Sequence, residues 1–329
     1  MLARTTFEPV LRRTVDHALN YLNDLDDHPV SATATREQLR RRLARPLAVE
    51  GVDAARVIDE LVADVEGGLV GSAGGRFFAW AIGGSLPASL AADWLTSTWD
   101  QNAALYACSP ATALIEEICG DWLKDLLGLP KSASFALTTG CQMAHFTCLA
   151  AARNAVLARR GWDVERKGLV GAPRIRILSS SQRHGSIERV LRFLGLGSEC
   201  VTDLPVDDRG RVQPAALAEA LVGSDNGAAI VLLCAGDINI GAFDPFNELI
   251  PLARAHEAWV HVDGAFGLWA QASDTLRPLL AGVEEADSWA TDGHKWLNVP
   301  YDSGYAFVAD SMAHRASMSL RASYLTHTE

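Results

Sequence analysis

The chain has 329 residues, of which 49% are hydrophobic and 21% are charged, and its formal net charge is −11. This length is enough for one large domain with an appendage, or for two domains. The acidic charge argues against a nucleic-acid partner, which needs a basic face, and no uninterrupted apolar stretch is long enough to cross a membrane. The six cysteines lack paired spacing, which favours reduced thiols and a cytoplasmic protein.

Residues 1 to about 70 are predicted to form a helical arm. Apolar residues recur at helical spacing from Leu11 to Leu22 and from Val57 to Val65, and a basic helix is predicted around residues 36–45. Such an arm has little core of its own, so we expect it to pack on another surface, such as a second subunit. Residues 71–86 are rich in glycine and aromatic residues, and Trp80 could line a pocket or belong to a packed loop.

Further helices are predicted at 87–106 and 111–127, and after about residue 131 short apolar runs alternate with helical stretches. Continuous apolar strands separated by helices are typical of a mostly parallel sheet that is covered on both faces. Ligands of such sheets bind beyond the carboxyl ends of the strands. Small or polar residues follow five successive predicted strands, at 138–142, 179–184, 235–239, 263–265 and 292–295.

The last of these strand ends carries a lysine, Lys295, with apolar or aromatic residues on both sides and His294 directly before it. Burial removes hydration from an ammonium group and favours the neutral amine. A neutral amine can form a Schiff base with an aldehyde. On this stretch alone, an ordinary lysine that extends from a loop beside a core strand is the alternative.

The other strand ends suggest three more chemical roles. The helix that begins after Gly140 presents free N–H groups, which suit a phosphate. Asp263 could hold a protonated ring nitrogen or cap a helix, and His184 could stack on a flat ring or exchange protons. No complete metal-ligand or serine-hydrolase motif is present. Pyridoxal 5′-phosphate has a phosphate, a pyridine ring and a carbaldehyde, so it would use all of these groups together with the lysine amine.

Over residues 70–329 the chain resembles the group II pyridoxal-phosphate-dependent amino-acid decarboxylases. Five segments carry the likeness: SPATALIEEICGDWLKDLLGLP (109–130), TTGCQMAHFTCLAAARN (138–154), HGSIERVLRFLGLG (184–197), HVDGAFGLWA (261–270) and DGHKWLNVPYDSG (292–304). The last is similar to the family pattern D-x-H-K-W and is the most specific. The resemblance implies the large domain of the fold type I pyridoxal-phosphate enzymes, an α/β fold whose mostly parallel seven-stranded sheet is flanked by helices.

The resemblance also implies a role for each matching residue. Lys295 would form the Schiff base with the cofactor. Asp263 would pair with the pyridine nitrogen and keep it protonated, so that the ring acts as an electron sink. Ala265 would lie under one face of the ring, and His184 would stack on the other. Tyr324 would be the mobile-loop residue that returns a proton to the carbon after carbon dioxide leaves.

The phosphate would bind the first turn of the helix after the first strand, mainly through the backbone N–H groups of Gly140, Cys141 and Gln142, with His294 beside it. Residues 141–143 depart from the family pattern Gly-Ser/Thr-Glu, so a carboxylate is lost while the backbone contacts should survive. Residues 237–239, Asp-Ile-Asn, replace a Thr-Thr pair of the family. A hydroxyl is therefore missing, and the role of Asp237 and Asn239 is left open.

We therefore expect a helical arm at 1–70, a cofactor-binding domain at 71–310 and the start of a mobile catalytic loop at 311–329, without the small C-terminal domain of the family. The predicted function is pyridoxal-phosphate-dependent decarboxylation of an L-amino acid, in a cytoplasmic homodimer with its active site at the interface and no nucleic-acid or membrane partner. The alternatives are another lyase or an aminotransferase of the same fold, or a catalytically impaired, truncated homologue.

Overall fold

A computed structural model describes residues 6–47, 49–103, 105–222 and 228–319. The chain forms two compact units, Met1–Gly84 and Ser85–Glu329. The first unit contains the three helices expected for the arm, α1 (Phe7–Asp24), α2 (Arg36–Leu43) and α3 (Ala54–Asp64). These three helices are fully described and contain no buried residue. The unit extends past residue 70, and the three-part division of the chain stays a prediction.

The second unit alternates helices and strands along the chain. Its helices are α4 (Pro87–Trp99), α5 (Pro110–Leu126), α6 (Cys141–Ala158), α7 (Val164–Lys167), α8 (Gly185–Phe193), α9 (Pro214–Val222), α10 (Phe246–Ala255) and α11 (Ser311–Met318). Its strands are β1 (Ser134–Thr138), β2 (Ile175–Ser180), β3 (Val201–Leu204), β4 (Ala228–Cys234), β5 (Trp259–Asp263), β6 (Ser288–Asp292) and β7 (Gly304–Val308). Among the described residues, no helix is both long and apolar enough to cross a membrane.

The strands form one seven-stranded sheet in the order β1-β7-β6-β5-β4-β2-β3. Strands β3, β2, β4, β5 and β6 are paired in parallel, and β7 lies antiparallel to both β6 and β1. The predicted mostly parallel sheet of fold type I is therefore confirmed. The apolar runs did not reveal β3, because this short edge strand is half exposed. Helix α4 ends seven residues before its predicted end because Asp100 adopts a left-handed conformation.

Helix α6 covers one face of the sheet and is buried along most of its length. That face carries Ile230, Trp259, Ala290 and Ala306 in one hydrophobic core. Their sequence neighbours on the same strands, such as Val260 and Trp289, belong to a second core on the other face. Side chains alternate between faces along a strand. Residues 261 and 263 of β5 therefore point toward the same face as Trp259, the face that α6 covers.

The turns after β1 and β6 are brought together by β7, which lies between these two strands. Gly304, the first residue of β7, is paired with Thr138 of β1 and with Asp292 of β6. A Cβ atom on Gly304 would collide with the backbone of Gly140. Glycine at position 304 thus permits the first turn of α6 to approach the carboxyl end of β6.

Candidate active site

Asp263 ends β5 and is held as a carboxylate by two donors. Its Oδ1 accepts a hydrogen bond from the backbone N–H of Ala265 at 3.1 Å, and its Oδ2 lies 3.5 Å from Nε2 of His145. Burial alone would raise the pKa of this carboxyl, but the charge and proximity of His145, together with the Ala265 amide, bring the pKa well below its usual value. Asp263 is therefore an anion that can face a cationic nitrogen.

Lys295 follows β6, the strand next to β5, and its side chain is 19% exposed. Its Nζ lies 3.2 Å from Oδ2 of Asp292 and 5.7 Å from the centre of the Phe266 ring. The lysine is thus half-buried, as its sequence neighbours predict. Its ion pair with Asp292, whose side chain is only 4% exposed, was not predicted. An amine and two carboxylates therefore lie at the ends of adjacent parallel strands.

The N-terminus of α6 packs against Asp292 and His294, at the end of β6. Gly140, which precedes the helix, has φ 112° and ψ 170°, a conformation that only glycine adopts readily. A Cβ atom at this position would lie 3.1 Å from Cε1 of His294, so the histidine ring packs against the glycine. The backbone N–H of Cys141, predicted to bind a phosphate, donates instead to Oδ1 of Asp292 at 2.6 Å. Asp292 thus occupies part of the positive end of the α6 dipole.

His294 is buried and its ring orientation is fixed by the turn that follows it. Its Nδ1 accepts a hydrogen bond from the backbone N–H of Ser303 at 3.2 Å, and its Nε2 lies 3.5 Å from Asp292 Oδ1. A neutral ring whose Nδ1 accepts must carry its proton on Nε2. Tyr301 stacks on this ring, with 4.2 Å between ring centres. His294 therefore presents an N–H group to the α6 end of the site.

Two buried histidines connect to Asp263 and were not predicted as site residues. Nδ1 of His145, on α6, lies 2.9 Å from Nε2 of His261, on β5. Nδ1 of His261 lies 2.9 Å from the Ser288 hydroxyl. The sequence signal was the spacing of His261 and Asp263, two residues apart and thus on one face of a strand. Their partner on α6 lies 116 residues away from His261, and no local pattern reveals it.

The Cys141 thiol also lies near His145, with 3.4 Å between Sγ and Nε2. Burial, followed by the nearby Asp263 and Asp292, raises the pKa of this thiol well above its usual value. Cys141 is therefore a neutral packing residue and not a nucleophile. Cys141, His145 and Asp263 place one ligand atom each within 4.8 Å of one another, but the ring nitrogen is already in contact with the other two. The expected absence of a metal stays a prediction.

The remaining predicted residues lie around the same end of the sheet. Ala265 connects the ends of β5 and β6, because its carbonyl accepts a hydrogen bond from the Asp292 backbone N–H at 3.0 Å. His184 is exposed at the start of α8, and its Nδ1 accepts from the Ser186 backbone N–H at 3.2 Å. Gln142 accepts a hydrogen bond from Arg189 at 2.9 Å. The predicted positions of Ala265 and His184 on the two faces of a ring, and the predicted binding of a phosphate mainly by the backbone of Gln142, stay predictions.

A cleft between the ends of β2 and β4 reaches Asp263 and is lined by Ser180, Arg183, Cys234 and Asp237, among others. Two buried polar atoms of this loop region, Gln182 Oε1 and Arg183 Nε, have no hydrogen-bond partner among the described residues. Buried polar groups are normally paired. The cleft is therefore a place where a polar ligand adjacent to Asp263 would find donors and acceptors.

The structure gives Asp237 and Asn239 a local role. Asp237 accepts hydrogen bonds from the backbone and side-chain nitrogens of Asn239, both at 2.9 Å, and from the Ile240 backbone at 3.0 Å. This is an Asx turn, in which the carboxylate closes its own loop. The two residues stabilise the loop after β4, and both oxygens of the Asp237 carboxylate are used within it.

Two residues named in the sequence analysis remain, Tyr324 and Trp80. Tyr324, the predicted proton donor, lies outside the described residues. Trp80 belongs to the first unit, where its exposed ring lies against Phe77 with 5.7 Å between ring centres. Its role in a pocket stays a prediction.

Comparison with known proteins gives a family match over most of the chain. Residues 39–329 match the pyridoxal-dependent decarboxylase conserved domain. The chain is 28% identical over 320 residues to an aromatic-L-amino-acid decarboxylase from Bacillus atrophaeus, covering 96% of this chain and 64% of the relative. It is 31% identical over 293 residues to an acidic amino acid decarboxylase from Homo sapiens, covering 88% of this chain and 55% of the relative.

Solved structures share this fold. Mouse CSAD superposes with a TM-score of 0.87 at 25% identity, over 97% of this chain and 68% of that one. The Oryza sativa TDC structure with PLP and tryptamine superposes with a TM-score of 0.87 at 24% identity, over 99% of this chain and 68% of that one. The chain thus spans about 55% to 64% of the two curated relatives. From the match to its conserved domain, the chain belongs to the family of pyridoxal-dependent decarboxylases.

Proposed function

We propose that the chain binds pyridoxal 5′-phosphate and removes the carboxyl group of an L-amino acid as carbon dioxide. The observation that carries this proposal is that Asp263 ends β5 and Lys295 closely follows the end of the adjacent parallel strand β6. Asp263 is kept ionised by His145 and the Ala265 amide, and Lys295 is half-buried in its ion pair with Asp292. Family membership supports the choice of reaction class.

The residues around this pair fit the cofactor. Gly140, without a side chain, lets the His294 ring approach the start of α6 closely, and the α6 N-terminus favours a negative group. Asp263 offers an anion to a protonated ring nitrogen. The one conflicting group is Asp292, a carboxylate that accepts from the Cys141 amide where a phosphate is expected. Lys295, 3.2 Å from this carboxylate, and the His294 N–H group both offset its charge.

Each residue then has a defined task. Lys295 would hold the cofactor's aldehyde carbon, and the backbone of Gly140, Cys141 and Gln142, with His294, would hold the phosphate. Asp263 would bind the ring nitrogen, with Ala265 below the ring and His184 above it. The bound cofactor supplies a ring that accepts the electron pair released when the carboxylate leaves. Tyr324 would return a proton to the carbon that lost the carboxylate.

We also propose that the protein is a cytoplasmic homodimer. The supporting observation is a group of exposed apolar side chains on α4 and α5, of which Trp99 is 57% and Trp122 is 69% exposed. Large apolar side chains exposed to solvent favour a protein–protein contact. Light scattering on the purified chain tests this, since a monomer at all concentrations would contradict the proposal.

A binding test and an activity test together examine the reaction. Borohydride reduction in the presence of pyridoxal phosphate, followed by peptide mass mapping, should attach the cofactor to Lys295. Lys295→Ala should remove this adduct, while Lys131→Ala, at an exposed lysine far along the chain, should leave it unchanged. Labelling at another lysine only would contradict the assignment of Lys295.

The activity test uses L-amino acids labelled in the carboxyl carbon. Aromatic and acidic amino acids should be included, because the relatives are named for both, together with ornithine and diaminobutyrate. Release of labelled carbon dioxide by the wild-type chain and its loss in Lys295→Ala would support decarboxylation. Formation of a keto acid without carbon dioxide release would instead indicate an aminotransferase.

A further inference from the structure

A line of buried groups leads from Asp263 through His145 and His261 to Ser288 in the sheet. His145 Nε2 lies 3.5 Å from Asp263, His145 Nδ1 lies 2.9 Å from His261 Nε2, and His261 Nδ1 lies 2.9 Å from the Ser288 hydroxyl. The Trp259 indole donates to the same hydroxyl at 2.9 Å. The two histidines and Ser288 are at most 1% exposed, so water does not satisfy their polar atoms.

The donors and acceptors along this line restrict where the protons lie. An indole N–H only donates, so the Ser288 oxygen accepts from Trp259 and its own proton is available to His261 Nδ1. The neutral His261 then carries its proton on Nε2 and donates to His145 Nδ1. The proton of a neutral His145 must in that case be on Nε2, which faces Asp263.

The same line accepts one more proton without losing a contact. If His145 is protonated on both nitrogens, its Nδ1–H donates to His261 Nε2. The proton of His261 then lies on Nδ1 and is donated to the Ser288 oxygen. In both states His145 carries a proton on Nε2, which lies 3.4 Å from the Cys141 Sγ and 3.5 Å from Asp263 Oδ2. Burial, followed by the proximity of His145, lowers the pKa of His261 to about 3, which is consistent with a neutral His261 in both.

We propose that His145 is a positioning residue for Asp263: it directs an Nε2–H group at the carboxylate in either state, and His261 with Ser288 fixes its ring. The Asp263 oxygens are thereby kept ionised and oriented toward the cofactor's ring nitrogen. This inference rests on the proposed function only for the identity of that cofactor. The other ionisable groups near the line are the Cys141, Cys148 and Cys234 thiols, which burial keeps neutral, and the Asp292–Lys295 pair.

Two matched substitutions separate the two contacts of His145. The amide nitrogen of asparagine reaches about as far as Nδ1 of histidine, and that of glutamine about as far as Nε2. His145→Asn should therefore keep the contact with His261 and lose the donor to Asp263. His145→Gln should keep the donor to Asp263 and lose the contact with His261. A purely structural role for His145 would make both variants equally defective.

The first readout needs no cofactor. The ¹⁵N spectrum of the apo protein labelled at histidine should show His145 with a proton on Nε2 from pH 6 to 9, assigned by comparison with the two variants. A neutral His145 with its only proton on Nδ1 would overturn the proposal, because a bare nitrogen would then face the carboxylate. This result is independent of whether the chain binds pyridoxal phosphate or decarboxylates any substrate.

The second readout is the dissociation constant for pyridoxal phosphate, measured by absorbance titration on folded variants. Loss of a hydrogen bond to a charged group should weaken binding about tenfold in His145→Asn, with a change of less than about threefold in His145→Gln. Equal affinities in the two variants would overturn the proposal. If the wild-type chain does not bind the cofactor, the proposed function fails, and the apo spectrum alone decides the role of His145.

Discussion

The buried histidine His261 should make the stability of the folded chain sensitive to acid. Burial and the neighbouring His145 lower the pKa of His261 from 6.5 to about 3. The unfolded chain therefore binds one more proton than the folded chain between these two pH values, and the contribution is complete above about pH 6.5 and lost as the pH falls toward 3. Lowering the pH from 7 to 5 should reduce the free energy of unfolding by about 2 kcal/mol through this residue.

The assay compares urea unfolding of the wild-type chain and of two variants at pH 7 and pH 5, at one protein concentration. His261→Asn retains a group near Ser288 and His261→Gln retains one near His145, and neither side chain titrates. Both should be less stable than wild type at pH 7, because a buried hydrogen bond is lost. Their loss of stability between pH 7 and pH 5 should be smaller by about 2 kcal/mol.

The comparison between variants removes contributions that they share with the wild type, such as that of the carboxylates. His256→Gln is the matched control, because this histidine is exposed at the end of α10, and its stability should depend on pH as the wild type does. An equal loss of stability on acidification in wild type and in both His261 variants would refute the reasoning. That result would mean that His261 is protonated in the folded chain without penalty.

Three further predictions concern the carboxyl ends of the strands. Gly304→Ala should lower the free energy of unfolding by more than about 2 kcal/mol, because its Cβ would collide with the Gly140 backbone, whereas Gly185→Ala, with open space around it, should be nearly neutral in the same urea assay. Burial raises the pKa of Asp244 to about 6, so the folded chain binds the extra proton and this residue should add stability as the pH falls from 7 to 4.5; Asp244→Asn should remove that gain in urea unfolding. Asp292→Asn should bind pyridoxal phosphate more tightly in an absorbance titration, because it removes a negative charge from the phosphate end and the ion pair from Lys295; weaker binding would instead mean that this carboxylate holds the site together.

Much of the architecture could be predicted because it depends on local patterns. Continuous apolar runs separated by helices indicate a parallel sheet, and the carboxyl ends of parallel strands meet at one edge. That reasoning alone places Asp263 and Lys295 near each other, although 32 positions separate them in the sequence. Strand β3 was not predicted, because its four residues are half exposed and carry no continuous apolar signal.

The contact of Asp292 with the Cys141 amide could not be predicted, because it depends on how non-adjacent elements pack. The Cys141 amide that donates to this carboxylate is 151 residues away. Its approach depends on a glycine at position 304, and a glycine in a sequence does not reveal which backbone lies against it. The ion pair with Lys295, three residues away, was accessible in principle, but the surrounding apolar residues suggested a half-buried neutral amine.

The replacement of a family Thr-Thr pair by residues 237–239 also needed the structure. From the sequence it indicates only that a hydroxyl is missing and that Asp237 could act elsewhere. The Asx turn uses both Asp237 oxygens within its own loop. Burial alone would raise the pKa of Asp237, but the hydrogen bonds from Asn239 and Ile240 lower it. The carboxylate therefore stabilises the loop and contributes no reactive group.

Helix α6 joins the two halves of the candidate site through one face. Cys141 and His145 are four residues apart, so they lie on the same side of the helix. The first contacts Asp292 at the end of β6, and the second contacts Asp263 at the end of β5. Asp292 thus contacts the Cys141 amide and Asp263 contacts His145, and both contacts come from the same turn of α6. A shift of that turn would disturb the proposed partner of the ring nitrogen and the proposed phosphate end together, so the packing of α6 should determine the geometry at which Lys295 would meet the cofactor.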